Sequence, residues 1–459
     1  MQIMLTDKLL KLKKHLILSL VRSYMKQKKK KDKRWVAGKN WVNYSGPFYN
    51  ENEYVAGIDS LLDEWLILGN KAREFEQTFS QYLGKTDGVL TNSGSSANLL
   101  MLAACKSKRL FNIPEGSKFI TSVVCFPTTI NPIIQNGFQP LFVDVTLPSL
   151  NLDLDQVEAA LEADTKKEIR GIIFAHVLGN PPDMDRLMAL VKKYDLVFLE
   201  DSCDALGSSW NEKPLGSFGH LSSCSFFPAH HMTMGEGGYV GVNSVKERIV
   251  VSSLRDWGRA CYCNTMKPGD VTCGTACGKR FNNWFNKTKK NIIYDHRYVF
   301  DEIGYNLKPL EMQAAMGLEQ IKKLDYMHSR RKYNFNRLYS IFKKYDEYFI
   351  LPEKLKQADV SWFGFLVTLK DAVPFTKAEI VSYLENNKIQ TRSYFTGNAL
   401  FHPAYEEYAK KYEDTEKAFP VATKSTMDTF FLGVYPGMTE EQLAYVESVV
   451  DSFIESKRQ

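Results

Sequence analysis

The sequence has no apolar run near the ~18 to 20 residues needed to cross a bilayer. It also has no apolar leader followed by a small-residue cleavage site. An integral membrane protein or a secreted one is therefore not expected, and a cytoplasmic chain is. Cysteine is sparse, at eight in 459 residues, which excludes a small disulfide-stapled scaffold. No internal repeat recurs, which excludes a solenoid or a propeller. A strong overall charge is lacking too. The formal net charge is +6, but residues 1–34 hold twelve Lys/Arg against two Asp, or +10, and leave −4 on the rest. The lysines at 28–31, with Lys33 and Arg34, could touch nucleic acid or an anionic membrane. The plainer reading is a solvated helix and linker, with no nucleic-acid partner.

What is present suits a large globular enzyme. Hydrophobic residues make up 44% and aromatics 13%, enough for a full-sized core. Residues 8–26 place Leu9, Leu10, Leu12, Leu16, Ile17, Leu20, Val21 and Tyr24 at near-helical spacing between lysines, an amphipathic helix expected to pack on the body or a partner. Apolar runs at 86–91, 119–124, 140–145, 171–177, 196–201 and 221–227 read as strands. Helical stretches such as 153–163 and 183–194 separate them. That alternation predicts an α/β fold with a mostly parallel sheet covered on both faces. After Lys308 a long helix leads to a smaller α+β region with a strand over 360–369 and helices over 377–387 and 440–456. The expected divisions are a basic helix and linker at 1–40, a large domain at 41–325 and a small domain at 326–459. A cysteine-rich insertion lies near 261–290.

Ligands in such sheets collect at the C-terminal strand ends. Gly94, Ser95 and Ser96 open a helix just after a strand, where free backbone amides and hydroxyls suit a phosphate. The same residues are also ordinary caps. Phe126 follows the second strand, Asp201 ends LVFLED, and Ser225 ends another strand. The segment at 225–238 reads SFFPAHHMTMGEGG, and 304–325 reads GYNLKPLEMQAAMGLEQIKKLD.

Taken in order, these segments resemble the sugar-nucleotide aminotransferase family of fold-type I pyridoxal-phosphate enzymes, over roughly residues 45–455. In that family a lysine stands between the Ser-Phe pair and an acidic-Gly-Gly tail. Here Ser225, Phe226, Glu236, Gly237 and Gly238 fit, and His230 occupies the lysine position. A histidine can move a proton near neutrality, but it cannot hold the cofactor covalently. The resemblance therefore implies the dehydratase branch, which uses pyridoxamine phosphate and a histidine base, with His230 as that base. It implies that Gly94, Ser95 and Ser225 hold the phosphate and that Phe126 stacks on the ring. Asp201 would face the ring nitrogen. Asp204, where the family has glutamine in EDSCDALG, would face the ring hydroxyl. Asn306 would reach the phosphate from a neighbouring subunit of a homodimer. Lys308 departs from the family's arginine. His231 is adjacent to the base, and His176 is open between structural and substrate-facing roles.

Cysteines 261, 263, 273 and 277 cluster, which in a cytosolic chain points to metal or redox chemistry. The resemblance implies a [2Fe–2S] set of Cys203, Cys261, Cys263 and Cys277. Cys273 is a rival fourth ligand, because the spacer NTMKPGDVTCGTA is longer than in the family. A zinc site or uncoordinated thiols are the alternatives. The implied reaction removes the C3 hydroxyl of a CDP-4-keto-6-deoxyhexose, a nucleotide-sugar substrate. An electron-donating flavin/iron–sulfur reductase is the implied partner. The other readings are a cluster-free dehydratase of a GDP-linked 4-keto sugar and a non-catalytic scaffold.

Overall fold

The structure is a computed structural model, and it describes residues 2–31, 34–261, 280–283, 285 and 292–458. Seven strands form the central sheet: β1 (Asp87–Thr91), β2 (Lys118–Ser122), β3 (Gln139–Val143), β4 (Ile169–Ala175), β5 (Val197–Asp201), β6 (Leu221–Ser225) and β7 (Gly238–Val242). Their order is β1-β7-β6-β5-β4-β2-β3. Strand β7 runs antiparallel to both β1 and β6, and every other pairing is parallel. The mostly parallel sheet expected from the apolar runs is present. Strand β7 was not foreseen, because GYVGV is short, carries two glycines and follows the Gly-Gly tail directly.

The helices of the larger part include α1 (Gln2–Lys31), α2 (Glu51–Leu62), α3 (Asn70–Leu83), α4 (Gly94–Lys106), α5 (Pro127–Gln135), α6 (Leu154–Ala163), α7 (Met184–Lys193) and α8 (Val245–Arg255). Helix α4 is buried almost all round, from Gly94 through Ala97, Leu100 and Met101 to Cys105. A helix apolar on every side belongs inside a fold, and α4 packs against β6, β7, α5 and α8. This fixes its N-terminus at the C-terminal ends of the parallel strands.

After α9 (Glu311–Ile321) and α10 (Leu324–Lys343), a second sheet is built from β8 (Phe349–Ile350), β9 (Gly364–Leu369), β10 (Thr391–Ser393) and β11 (Thr429–Gly433). Its order is β8-β9-β11-β10, all antiparallel. One apolar cluster joins the two sheets: Ile120, Phe174 and Phe198 share it with Phe365, Phe430 and Leu432. Helix α1 extends beyond the expected 8–26. Lys14 bridges Asp59 of α2 and Asp63 just past its end, each at 2.6 Å, while Leu9, Leu12, Leu16 and Leu20 stay exposed. No helix among the described residues is long and apolar enough to cross a membrane.

A buried ionic knot fastens β1, the strand that feeds α4. Glu76 of α3 takes Arg248 at 2.7 Å and Arg255 at 3.3 Å, and accepts from the Leu90 amide at 2.9 Å. Arg255 also donates to the Leu90 carbonyl. Burial opposes the Glu76 charge, but Arg248 and Arg255 outweigh it and hold the carboxyl below its ordinary range. Its contribution to stability is therefore full above the ordinary carboxylate pKa and fades as pH falls through the lowered value. Glu76→Ala leaves Arg248 with Asp87 and Arg255 with Asp256, and the loss of the shared carboxylate is expected to destabilise by about 1–3 kcal/mol. Chemical denaturation at neutral pH reads this, and the gap from wild type narrows in acid.

Candidate functional site

At the C-terminal edge of the central sheet, Asp201 ends β5 with its carboxylate buried. Four donors converge on it. Asn98 Nδ2 of α4 donates at 2.7 Å and Thr129 Oγ1 of α5 at 2.8 Å. The Cys203 amide and Ser223 Oγ donate at 3.2 and 3.3 Å. Ionised carboxylates accept strongly and tolerate burial only with such partners.

The glycine cradle stands beside this carboxylate. Gly94 opens α4 behind the cap Ser93, whose hydroxyl accepts from the Ser96 amide. A Cβ on Gly94 would lie 2.5 Å from Ser225 Cβ, 3.0 Å from Ser225 Oγ and 3.1 Å from Cys203 Sγ. A Cβ on Gly238 would meet the Ser93 carbonyl oxygen at 2.1 Å and the Gly94 nitrogen at 2.6 Å. Gly238 is thus a steric requirement, since β7 must pass against the turn that opens α4. Ser95 is exposed at the first turn of α4, with its amide unused by the helix.

Phe126 caps α5 and is 55% exposed, in edge contact with Phe395 at 6.3 Å. An aromatic ring left open beside buried polar groups is a surface for a flat ligand. His230 lies across from Asp204, with Nδ1 3.4 Å from Asp204 Oδ1, an ion-pair distance short of hydrogen-bond geometry. Asp204 is buried, and that burial raises its carboxyl pKa; the nearby His230 and Arg331 oppose the rise. His231 points elsewhere: its Nε2 donates to the Ser361 carbonyl at 2.7 Å, and burial drives its pKa far down. It stays neutral and occupied, so the two adjacent histidines have different environments.

His176 is fully buried against Glu200 at 2.9 Å. Glu200 also accepts from the amides of Gly216, Phe218 and Gly219, so this pair ties loops together. Asn306 is exposed, and among the described residues no hydrogen bond links its side chain to the cradle. Lys308 lies over the Trp257 ring and 3.5 Å from Asp256. Glu311, unremarked within the long motif, caps α3 by accepting from the amides of Gly69, Lys71 and Ala72. Sequence reasoning also missed Arg331 and Tyr394, both buried near Asp204. No motif marks them, and only the fold brings them in. A cavity of about 830 Å³ opens between α1, α2, α3 and α9, and none of the predicted site residues lines it.

Of the four predicted cluster cysteines, Cys263 and Cys277 lie outside the described residues, as does Cys273. Cys203 Sγ sits 3.8 Å from Ser223 Oγ, and burial, reinforced by Asp201, pushes its thiol pKa well up. Cys261 Sγ lies 3.2 Å from His296 Nε2. Among the described residues no group of three metal-binding side chains forms.

Residues 49–451 match the DegT/DnrJ/EryC1/StrS aminotransferase family. The chain belongs to that family. It is 38% identical over 440 residues to dTDP-4-dehydro-2,6-dideoxy-D-glucose 3-dehydratase of Saccharopolyspora spinosa, covering 95% of this chain and 91% of that one. It is 39% identical over 424 residues to lipopolysaccharide biosynthesis protein RfbH of Salmonella typhimurium, covering 92% and 93%. Among solved structures it resembles GDP-4-keto-6-deoxymannose-3-dehydratase with bound GDP-perosamine, at 26% identity and a TM-score of 0.74, covering 90% of this chain and 100% of that one. The fold-type I architecture expected from sequence is the one present.

The described groups fit pyridoxamine phosphate. A cradle that a single Cβ would fill suits a phosphate, and Asp201 suits a protonated ring nitrogen. Among the described residues, buried Asn98 Oδ1, His230 Nδ1 and Tyr394 OH have no hydrogen-bond partner, which suits groups that meet a polar ligand. Gly238→Ala is predicted to weaken cofactor binding by at least about tenfold, because β7 must then move away from Ser93. Titration of the purified protein with pyridoxamine phosphate, followed by its absorbance, checks this.

Proposed function

We propose that this chain is a pyridoxamine-phosphate-dependent sugar-nucleotide 3-dehydratase acting on a CDP-4-keto-6-deoxyhexose, with His230 as the base. The observation that carries the reading is a histidine where the resembled family has lysine, in the same chain as the Gly94–Ser225 turn and the buried Asp201. Support also comes from a relative at 38% identity that bears a 3-dehydratase name.

Bound pyridoxamine phosphate supplies an amine for the sugar ketone and a ring that takes up electrons. In this reading Gly94, Ser95 and Ser225 hold the phosphate, and Asn306 joins them across a homodimer. Asp201 keeps the ring nitrogen protonated, Phe126 covers one ring face, and Asp204 faces the ring hydroxyl. His230 takes the proton from the carbon that bears the cofactor amine. It carries no amine of its own and so cannot reclaim the cofactor covalently, which favours loss of the C3 hydroxyl over repeated transamination. His231 is a poor candidate for that role, since its ring is buried and committed to Ser361.

The same reading assigns a [2Fe–2S] cluster to Cys203, Cys261, Cys263 and Cys277, with electrons from a partner flavin/iron–sulfur reductase. Thiolates are the usual ligands of such clusters. The raised thiol of Cys203 is protonated at neutral pH until a metal takes the proton's place. A second reading is a cluster-free dehydratase of a GDP-linked sugar. It draws on 32% identity to GDP-4-keto-6-deoxy-D-mannose 3-dehydratase of Yersinia pseudotuberculosis, over 77% of this chain and 84% of that one.

Two measurements test this. Iron and acid-labile sulfide are expected in protein purified without oxygen, and their absence selects the cluster-free reading. His230→Asn should lower turnover of the CDP-4-keto sugar by on the order of 100-fold or more, the usual range for a proton-transfer group. His231→Asn should mainly lower stability. The reverse pattern would exclude His230 as the base.

A further inference from the structure

Arg331 is one of the largest fully buried side chains, yet among the described residues it has no carboxylate in hydrogen-bond contact. A guanidinium taken out of water needs partners, and this one finds them in the backbone. Its Nη2 donates to the His230 carbonyl at 3.1 Å. Its Nη1 donates to the carbonyls of Trp362 and Phe363, each at 3.3 Å. The first belongs to the loop after β6, and the other two belong to the stretch that enters β9. Two more contacts reach that stretch: His231 Nε2 donates to the Ser361 carbonyl, and His328, one turn before Arg331 on α10, meets Ser361 Oγ at 2.7 Å. The Phe363 ring stands 5.3 Å from the His230 ring.

The planar fork of an arginine holds five donors in fixed directions, whereas a lysine ammonium offers three rotatable donors at a single point on a flexible stem. We propose that Arg331 is a positioning residue. Its guanidinium ties the backbone of His230 to the second sheet, and so sets the His230 ring between Asp204 and the ring of Phe363. This rests on the reading of His230 as the base, and it adds the group that holds that base in register. Misplacement of a reacting group by about 1 Å can cost on the order of 100-fold in rate. A loop released from its clamp therefore loses turnover, and the loss is expected in kcat rather than in KM.

The experiment compares wild type, Arg331→Met, Arg331→Lys and His230→Asn as full-length proteins. It has two readouts: kcat and KM on the CDP-4-keto sugar, and the rate at which diethyl pyrocarbonate modifies His230 without added cofactor, resolved by peptide mass spectrometry. Arg331→Met should lower kcat by on the order of 100-fold with KM within about twofold, and should change the His230 modification rate by several-fold. Arg331→Lys, which keeps one donor group, should fall between Met and wild type in both. Wild-type kcat and His230 reactivity in Arg331→Met, with only a lower melting temperature, would overturn the proposal. If the Met variant does not fold, Arg331→Lys decides, because wild-type values in both readouts then overturn it. Should His230→Asn keep full turnover, the base assignment fails, and the modification rates alone judge the clamp.

Discussion

Everything in the candidate site is arranged around one buried carboxylate. Asp201 sits at the end of a central strand, where removing its charge from water costs several kcal/mol. Four hydrogen bonds offset that cost, each worth about 1.5–3 kcal/mol to a charged acceptor. The donors come from α4, α5, β6 and the turn after β5, so holding this carboxylate fixes four elements relative to one another. The start of α5 carries Phe126, the start of α4 carries Gly94, and β6 ends in Ser225. The geometry of the cradle is in this sense a by-product of solvating Asp201 from within.

The second constraint is steric. Gly238 of β7 lies against the Ser93 carbonyl, and Gly94 lies against Ser225 and Cys203. No side chain fits at either place. These contacts give a physical reason for Gly238 in the same motif that carries His230. They also place the Cys203 thiol against the cradle, beside Asp201.

Much of this was legible in the sequence, for physical reasons. Strands buried on both faces read as apolar runs, and helix α4 reads as apolar all round. Glycines and hydroxyls after a strand mark a candidate ligand-binding turn, and the structure brings Gly94 and Ser225 together there. Three features were not legible. Strand β7 is too short and glycine-rich to show a period. Arg331 and Tyr394 reach the site through tertiary folding from distant positions. The contrast between His230 and His231 is invisible in a His-His pair, because it depends on which ring Ser361 captures. The long motif from Gly304 also mixes tasks: Glu311 caps a distant helix, while Asn306 stays at the surface.

The central claim is that residue 230 faces the reactive end of a bound cofactor. The most direct test restores the amine there. His230→Lys, incubated with pyridoxal phosphate and then treated with borohydride, should yield one covalent pyridoxyl adduct per chain, located on residue 230 by peptide mass spectrometry. Wild type should yield none at that position. A His230→Lys protein that folds and binds the cofactor but forms no adduct at residue 230 would contradict the account.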